Sequence, residues 1–321
     1  MSRTPLADGS LLEPRRRAYR VDQLIDAGTF GVTYRATVVS PPGQADASPS
    51  RSWLPPGAVV VIKEFYPDFA VRDAAGRIAV DDPEHGGAFD ASLQRFRREA
   101  ERLCYLSCLR GLRAARDVPG PDAGRRARAI DRLLARTDAI DVGDAMRLLE
   151  DLDDEARSAA AGAFAAAPLP IVHDYFSTSG NAYYVMEHLA GGTLKAVIDA
   201  ERRDLGAVIH SVGDRAFRLR RPWAPDRLHG FAAAALDALE ELHDGIPGQQ
   251  LIHCDLKPGN IMFRTPGSTL PVLIDFGLTR DVTGAQSQTL LAGTGGYAPL
   301  EIDPVARGFY RDQGPFGGRN V

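Results

Sequence analysis

The chain has 321 residues, 44% of them hydrophobic and 25% charged, with a formal net charge of -4 from 38 basic and 42 acidic side chains. That length and balance exclude wholesale disorder and allow about two domains or lobes; the small negative charge gives no net attraction to nucleic acid or to an anionic membrane surface. Three cysteines, Cys104, Cys108 and Cys254, are too few and odd in number for a disulfide framework, which favours a reducing, cytoplasmic setting. Cys104 and Cys108 stand four residues apart on a helix, but no neighbouring His or Cys completes a metal set, and packing is the simpler reading. Only Lys63, Lys195 and Lys257 are lysines and only Asn181, Asn260 and Asn320 are asparagines; the remaining basic residues are all arginine.

In chain order, residues 1–17 read as a flexible arm with basic Arg15, Arg16 and Arg17 but no apolar run of the secretory kind. Strand-like runs follow at Tyr19 to Ile25, Gly31 to Val39 and Ala58 to Phe65. A turn at Ala27-Gly28 and a Pro-, Ser- and Gly-rich loop from Ser40 to Gly57 separate them, giving an antiparallel meander. A helix is predicted from about Ala91, where Leu93, Phe96, Ala100, Leu103 and Ser107 recur at helical spacing. Two further strands, Ile171 to Phe176 and Ala182 to His188, flank a turn at Ser177 to Asn181 and bring the expected sheet to five strands with one helix.

Between them, about Gly111 to Ala167 is out of place: Arg-rich, then acidic, then nearly pure alanine. Ile130, Leu133 and Leu134, then Met146, Leu148, Leu149 and Leu152, predict two short amphipathic helices, an inserted hairpin. Such an insertion serves either as packed or mobile surface, at little cost in loop entropy, or as a docking site for a protein partner. The Ala-rich stretch Ala159 to Val172 is too short to span a bilayer and is broken by Gly162, Pro168 and Pro170. After Gly191-Gly192 the pattern is helical, including Asp226 to Asp244 with Leu228, Phe231, Ala235, Leu239 and Leu242 on one face. Short strands and loops run from Leu251 to Thr279.

The chemistry concentrates in His253-Cys254-Asp255-Leu256-Lys257-Pro258-Gly259-Asn260, followed by Asp275-Phe276-Gly277. An Asp, a Lys and an Asn share one loop and a second Asp follows the apolar run Val272 to Ile274: a base, a phosphate-binding cation and two oxygen ligands for Mg²⁺. Read alone, Asp255 to Asn260 is also an acceptable turn. Upstream stand Gly28-Thr29-Phe30-Gly31 and Val61-Ile62-Lys63. In this order the motifs resemble those of a protein kinase. Gly31-Val32-Thr33-Tyr34-Arg35-Ala36, Lys63-Glu64-Phe65-Tyr66-Pro67 and Phe69-Ala70-Val71-Arg72-Asp73 point to the bacterial branch of the eukaryotic-like Ser/Thr kinases. The resemblance covers about Tyr19 to Glu301 apart from the insertion.

That resemblance implies an α+β, bilobal kinase-like fold. Residues 18–188 would form the small lobe, with a five-stranded antiparallel sheet, one helix and the insertion at about 111–167. Residues 189–321 would form a mainly helical large lobe. It also implies an ATP- and Mg²⁺-dependent enzyme acting on protein Ser/Thr hydroxyls. Lys63 would hold the ATP phosphates and pair with Glu99, for which a surface ion pair with neighbouring arginines is the plain alternative. Ala27, Gly28, Phe30, Gly31, Thr33 and Val61 would line the nucleotide site, with Met186, Glu187 and Leu189 at the hinge and Met262 beneath the adenine. Asp255 would accept the substrate proton, Lys257 would steady the transferred charge, and Thr294 favours Ser/Thr over Tyr substrates. Asn260 and Asp275 would hold Mg²⁺. Leu103, Val172, His253 and Phe276 would stack into a hydrophobic column.

Three positions depart from the family pattern. Asp26 replaces the leading glycine of the Gly-rich loop and either repels the triphosphate or faces solvent. Cys254 replaces an arginine that pairs with a phosphorylated activation loop, so control without such a phosphate is expected; Cys254 is either redox-active or an inert thiol. Gly293-Thr294-Gly295-Gly296-Tyr297-Ala298-Pro299-Leu300-Glu301 matches the end of an activation segment, with Leu300 where proline is usual, and the sequence stops at Val321. The expectation is therefore a truncated large lobe with weakened activity, offering a surface for a partner chain. A non-catalytic pseudokinase that binds nucleotide or partners is the alternative, with a small-molecule phosphotransferase third.

Overall fold

The computed structural model describes residues 3–14, 17–40, 53–136, 141–204, 209–212, 215–218, 223–281 and 297. The chain divides into two compact units, Met1–His188 with Ile246–Gly248, and Leu189–Gly245 with Gln249–Val321.

The first unit is built on a six-stranded antiparallel sheet of order β1-β2-β3-β4-β8-β7. Its strands are β1 (Leu11–Leu12), β2 (Ala18–Ala27), β3 (Gly31–Val39) and β4 (Val59–Phe65), completed by β7 (Val172–Thr178) and β8 (Asn181–Glu187). A small hairpin, β5 (Val71–Arg72) with β6 (Ile78–Ala79), leads out of β4. Strand β1 is one more than the five expected, and it corrects the reading of residues 1–17 as a flexible arm. Leu11 and Leu12 pair with Arg20 and Tyr19, and Leu6 packs on the core of the sheet. A two-residue strand has no periodicity to betray it, and the contacts that hold the segment are mostly polar.

Alternation along β4 sorts its side chains to two faces. Val60 and Ile62 point into a core with Tyr19, Val21, Tyr34, Val38, Tyr183 and Val185. On the other face Phe65 meets Phe96 of the long helix α1 (Gly86–Arg116), whose Phe96 also meets Tyr184. The predicted helix face holds at Phe96, Ala100, Leu103 and Ser107, which are buried, while Leu93 is half-buried.

The insertion contains three helices rather than the two expected: α2 (Ala123–Leu134), α3 (Val142–Glu150) and α4 (Asp154–Ala165). Both α3 and α4 pack on the extended C-terminal half of α1. The third helix escaped the periodicity because its packing face is alanine, with Ala156 and Ala160 buried, and Ala carries little amphipathic signal. Close approach is permitted at Gly111 of α1, where a Cβ would fall 2.7 Å from the Phe164 ring and 2.9 Å from Leu149. Arg116 clasps Asp131 through Nε at 2.7 Å and Nη2 at 3.0 Å, and Arg126 reaches Asp153 at 2.6 Å. Asp153 also caps α4 through Ala156 N.

The second unit carries α5 (Leu194–Asp204), the hairpin β9 (Ile209–Val212) and β10 (Arg215–Arg218), and α6 (Pro225–Asp244). Two short antiparallel pairs follow: β11 (Leu251–Ile252) with β14 (Arg280–Asp281), and β12 (Ile261–Phe263) with β13 (Pro271–Leu273). Strands β11 and β13 pack against α6. The predicted face of α6 is less buried than expected: Leu242 is buried, Phe231, Ala235 and Leu239 are half-buried and Leu228 is exposed, while Ala238 is buried off that face. At the entry to the unit, Gly191 is obligatory, since a Cβ there would stand 2.5 Å from the Thr265 carbonyl oxygen and 2.6 Å from that of Phe263.

Candidate active site

The candidate residues fall in both units and are described within each. In the first, Lys63 of β4 donates to Glu99 of α1, Nζ to Oε1 at 3.1 Å, and the Tyr184 hydroxyl donates to the same oxygen at 2.8 Å. Glu99 is buried, so the surface-ion-pair alternative fails. A carboxylate withdrawn from water needs such partners to offset its desolvation. Burial, reinforced by the Glu99 charge, pushes the Tyr184 hydroxyl well above its ordinary range. Tyr184 therefore acts as a permanent donor, and its ring lies 5.7 Å below the Lys63 ammonium.

The loop between β2 and β3 contains Gly28, Thr29 and Phe30. Gly31 sits where β3 presses on β4: a Cβ would come within 2.6 Å of the Glu64 carbonyl oxygen. Thr33 pairs with Lys63 across the sheet, and Ala27 pairs with Val32. Asp26 is exposed. Val61 pairs with Met186. The Glu187 carboxylate accepts from Ile171 N at 2.9 Å, a bond that stitches β8 to the start of β7. Leu103 and Val172 of the expected column are buried here.

In the second unit the loop after β11 folds onto Asp255, whose side chain is buried. Lys257 Nζ donates to Asp255 Oδ2 at 2.7 Å, and Asn260 Nδ2 donates to that oxygen and to the Asp255 carbonyl, each at 2.9 Å. Asn260 O in turn accepts from Ile274 N at 2.9 Å, which ties the loop to the residue before Asp275. Cys254 and Asp275 hold positive φ values of 64° and 63°, a region that non-glycine residues adopt only where surrounding contacts hold them. For Cys254 the thiol reaches the Ile252 carbonyl at 3.4 Å, and burial raises its pKa. The thiolate of this half-buried residue is thus disfavoured.

His253 supplies much of the scaffold. Asp255 N donates to its Nδ1 at 3.3 Å and its Nε2 lies 3.0 Å from the Ile274 carbonyl, which fixes the tautomer with the proton on Nε2. Burial depresses its pKa. Its ring packs on Phe276 with centroids 5.0 Å apart. Met262 pairs with Val272 and bridges Thr193, and Leu189 is buried. Thr294 lies outside the described residues, as does all of Gly293 to Glu301 except Tyr297.

The residues present fit a hard cation with nucleotide phosphates. With its amide nitrogen committed to Asp255, the Asn260 side chain has an oxygen to offer, and the exposed Asp275 carboxylate is a second oxygen donor. Among the described residues no group of three or more His, Cys, Asp and Glu side chains forms a metal cluster. A centre with two protein ligands, completed by phosphate oxygens, is not of that kind.

The motif reading gave Glu64 no role, yet among the described residues it is the most deeply buried charge of the first unit, at 0% exposure. Its carboxylate accepts from the Tyr183 hydroxyl at 2.7 Å, the Tyr34 hydroxyl at 2.8 Å and Arg72 Nη2 at 2.7 Å. The signal was available: Glu64 shares the inward parity of Val60 and Ile62, and an acid at that parity requires buried donors.

The buried Lys–Glu pair and the Asp-Lys-Asn loop are arrangements that the resemblance to protein kinases implies. Residues 171–303 match the family model described as "Protein kinase domain"; the match begins after the three inserted helices and so excludes Lys63 and Glu99. Serine/threonine protein kinases, bacterial ones among them, are the proteins to which the chain is similar. It is 34% identical over 132 residues to the calcium/calmodulin-dependent protein kinase cmkB of Emericella nidulans, covering 40% of this chain and 27% of that one. To the serine/threonine-protein kinase PknA of Nostoc it is 30% identical over 141 residues, covering 41% and 21%. The aligned part thus spans about a quarter of these relatives' length. A solved structure titled "PpkA-294 apo form" overlays with a TM-score of 0.46 at 18% identity, covering 85% of this chain and 62% of that one.

Proposed function

We propose that the chain transfers the γ-phosphoryl group of ATP to serine or threonine hydroxyls of protein substrates. The observation that carries this reading is the convergence of Lys257 and Asn260 on one oxygen of Asp255. The arrangement orients a buried carboxylate toward a single task, accepting the proton of an incoming hydroxyl. Lys257, 2.7 Å from that carboxylate, balances its charge and reaches the phosphoryl group as it passes. Lys63, held by Glu99, is the cation for the nucleotide phosphates, and Asn260 and Asp275 would hold Mg²⁺. When bound with ATP, that ion neutralises phosphate charge. The setting we propose is the cytoplasm: Cys104, Cys108 and Cys254 are free thiols, and among the described residues no helix is long and apolar enough to cross a membrane.

The test is labelled phosphate transfer from ATP to a generic protein substrate, comparing the native chain with Asp255→Asn. Loss of a general base lowers the rate by about 10²–10⁴. Equal labelling by both forms would sink the assignment. Thermal stabilisation by MgATP without turnover would replace it with the pseudokinase.

A further inference from the structure

We propose that Arg3 is a positioning residue for the glycine-rich loop, clamping it from its acceptor side so that its N–H groups are set for nucleotide phosphates. The proposal rests on the kinase reading above.

The loop carbonyls from Ala27 to Phe30 are each engaged. Arg3 Nη2 donates to Ala27 O at 3.0 Å and Arg3 Nη1 to Gly28 O at 2.6 Å, while Asp68 N donates to Thr29 O at 2.9 Å and Tyr66 N to Phe30 O at 3.3 Å. Arg3 Nη1 also reaches Tyr66 O at 2.7 Å, and the guanidinium lies over the Tyr66 ring, 5.9 Å from its centroid. One planar fork thus ties the two ends of the clamp together. A guanidinium has donors and no acceptor, so it engages only carbonyls and never competes for the N–H groups that a phosphate needs. It also brings a positive charge beside a loop that carries the Asp26 carboxylate where the family has glycine.

The segment that presents Arg3 is itself built in. Thr4 N donates to the Tyr66 hydroxyl at 3.2 Å, Leu6 N to the Tyr34 hydroxyl at 3.0 Å, and Arg72 Nε to Thr4 O at 2.9 Å. Tyr34 and Arg72 are two of the donors on Glu64. The polar centre behind β4 therefore holds the segment that in turn holds the loop, which gives Lys63-Glu64 and Arg72 a shared purpose. Gly28, with no atom closer than 4.0 Å to a virtual Cβ, is left free to move by its own packing, so restraint must come from such hydrogen bonds.

The experiment uses the full chain, any purification tag at its C-terminal end, as native, Arg3→Ala and Arg3→Lys forms. Hydrogen exchange of peptides spanning residues 26–31, without nucleotide, reads the clamp. KM for ATP and kcat read its consequence. In Arg3→Ala, loop exchange rises and KM for ATP rises about tenfold with kcat nearly unchanged, because charge-assisted bonds to the loop are lost while the reacting groups are intact. Arg3→Lys, which keeps the charge without the fork, falls between. Unchanged loop exchange in Arg3→Ala overturns the clamp, and faster exchange with unchanged KM overturns the positioning role. Should Arg3→Ala not fold, Arg3→Lys carries the same two readouts. If the native chain binds no MgATP, the kinase reading and the positioning role fall together, and a surviving exchange difference shows that the fault lies with the kinase reading, not with the clamp.

Discussion

Glu64 is the residue at which the first unit is most exposed to a single substitution. Replacing it by Ala removes three donors' only shared acceptor and strands Arg72, whose side chain is 10% exposed. Breaking a buried ion pair by deleting one partner costs about 3–5 kcal/mol, because the remaining charge stays desolvated. Against the roughly 5–15 kcal/mol that holds a domain folded, this is a large fraction, and at about 2–4 °C per kcal/mol for a unit of this size the melting point falls by about 6–20 °C. The chain has two tryptophans, Trp53 in the first unit and Trp223 in the second. Urea unfolding followed by fluorescence in a Trp223→Phe background therefore reports the first unit alone. A second arm separates lost charge pairing from lost shape. Glu64→Leu with Arg72→Met removes both ions and should return about half of the loss, since the Tyr34 and Tyr183 hydroxyls still lack their acceptor. The reasoning is refuted if Glu64→Ala costs less than about 1 kcal/mol, or if the double variant is no more stable than Glu64→Leu.

Two further outcomes follow from the geometry. Gly31→Ala places a methyl 2.6 Å from a backbone oxygen of β4, which cannot swing aside like a side chain, so β3 and β4 must part. The expected cost is about 1–3 kcal/mol in the same urea assay. His253 is neutral when folded and its pKa is depressed by burial, so the unfolded chain binds a proton that the folded chain resists. Its contribution to stability is full above about pH 6.5 and declines as pH falls below that value toward the folded pKa. The Trp223 signal should show lower urea midpoints in mildly acidic buffer than at neutral pH, and His253→Gln should flatten that dependence.

What was legible in the sequence was what is local. Asp255, Lys257 and Asn260 lie within one loop, so their spacing already encodes their meeting, and the two faces of α1 follow from 3.6-residue periodicity. Glu99 needed more: its own neighbours are Arg97, Arg98 and Arg102, and only the fold shows it buried against Lys63 and Tyr184. The N-terminal segment was illegible because its attachments run through backbone groups. Arg3 meets carbonyls at 27, 28 and 66, and a carbonyl carries no side-chain signature. The third inserted helix was hidden for a different reason, since an alanine face packs without announcing itself in hydropathy.

The adjacent pair Lys63-Glu64 shows how one strand serves both needs. Because β4 alternates, the lysine faces α1 and Glu99 while the glutamate faces the opposite core, where it collects Tyr34, Tyr183 and Arg72. A shift of register by one residue would exchange them, placing a cation in the core among Tyr34, Tyr183 and Val185 and leaving Glu99 beside another carboxylate. Burial of Glu64 with three donors thus fixes the register that aims Lys63, and through Tyr34 and Arg72 it also fixes the segment bearing Arg3. The proposed phosphate-binding cation and the glycine-rich loop are thereby referenced to the same buried carboxylate, although neither touches it through a side chain of its own.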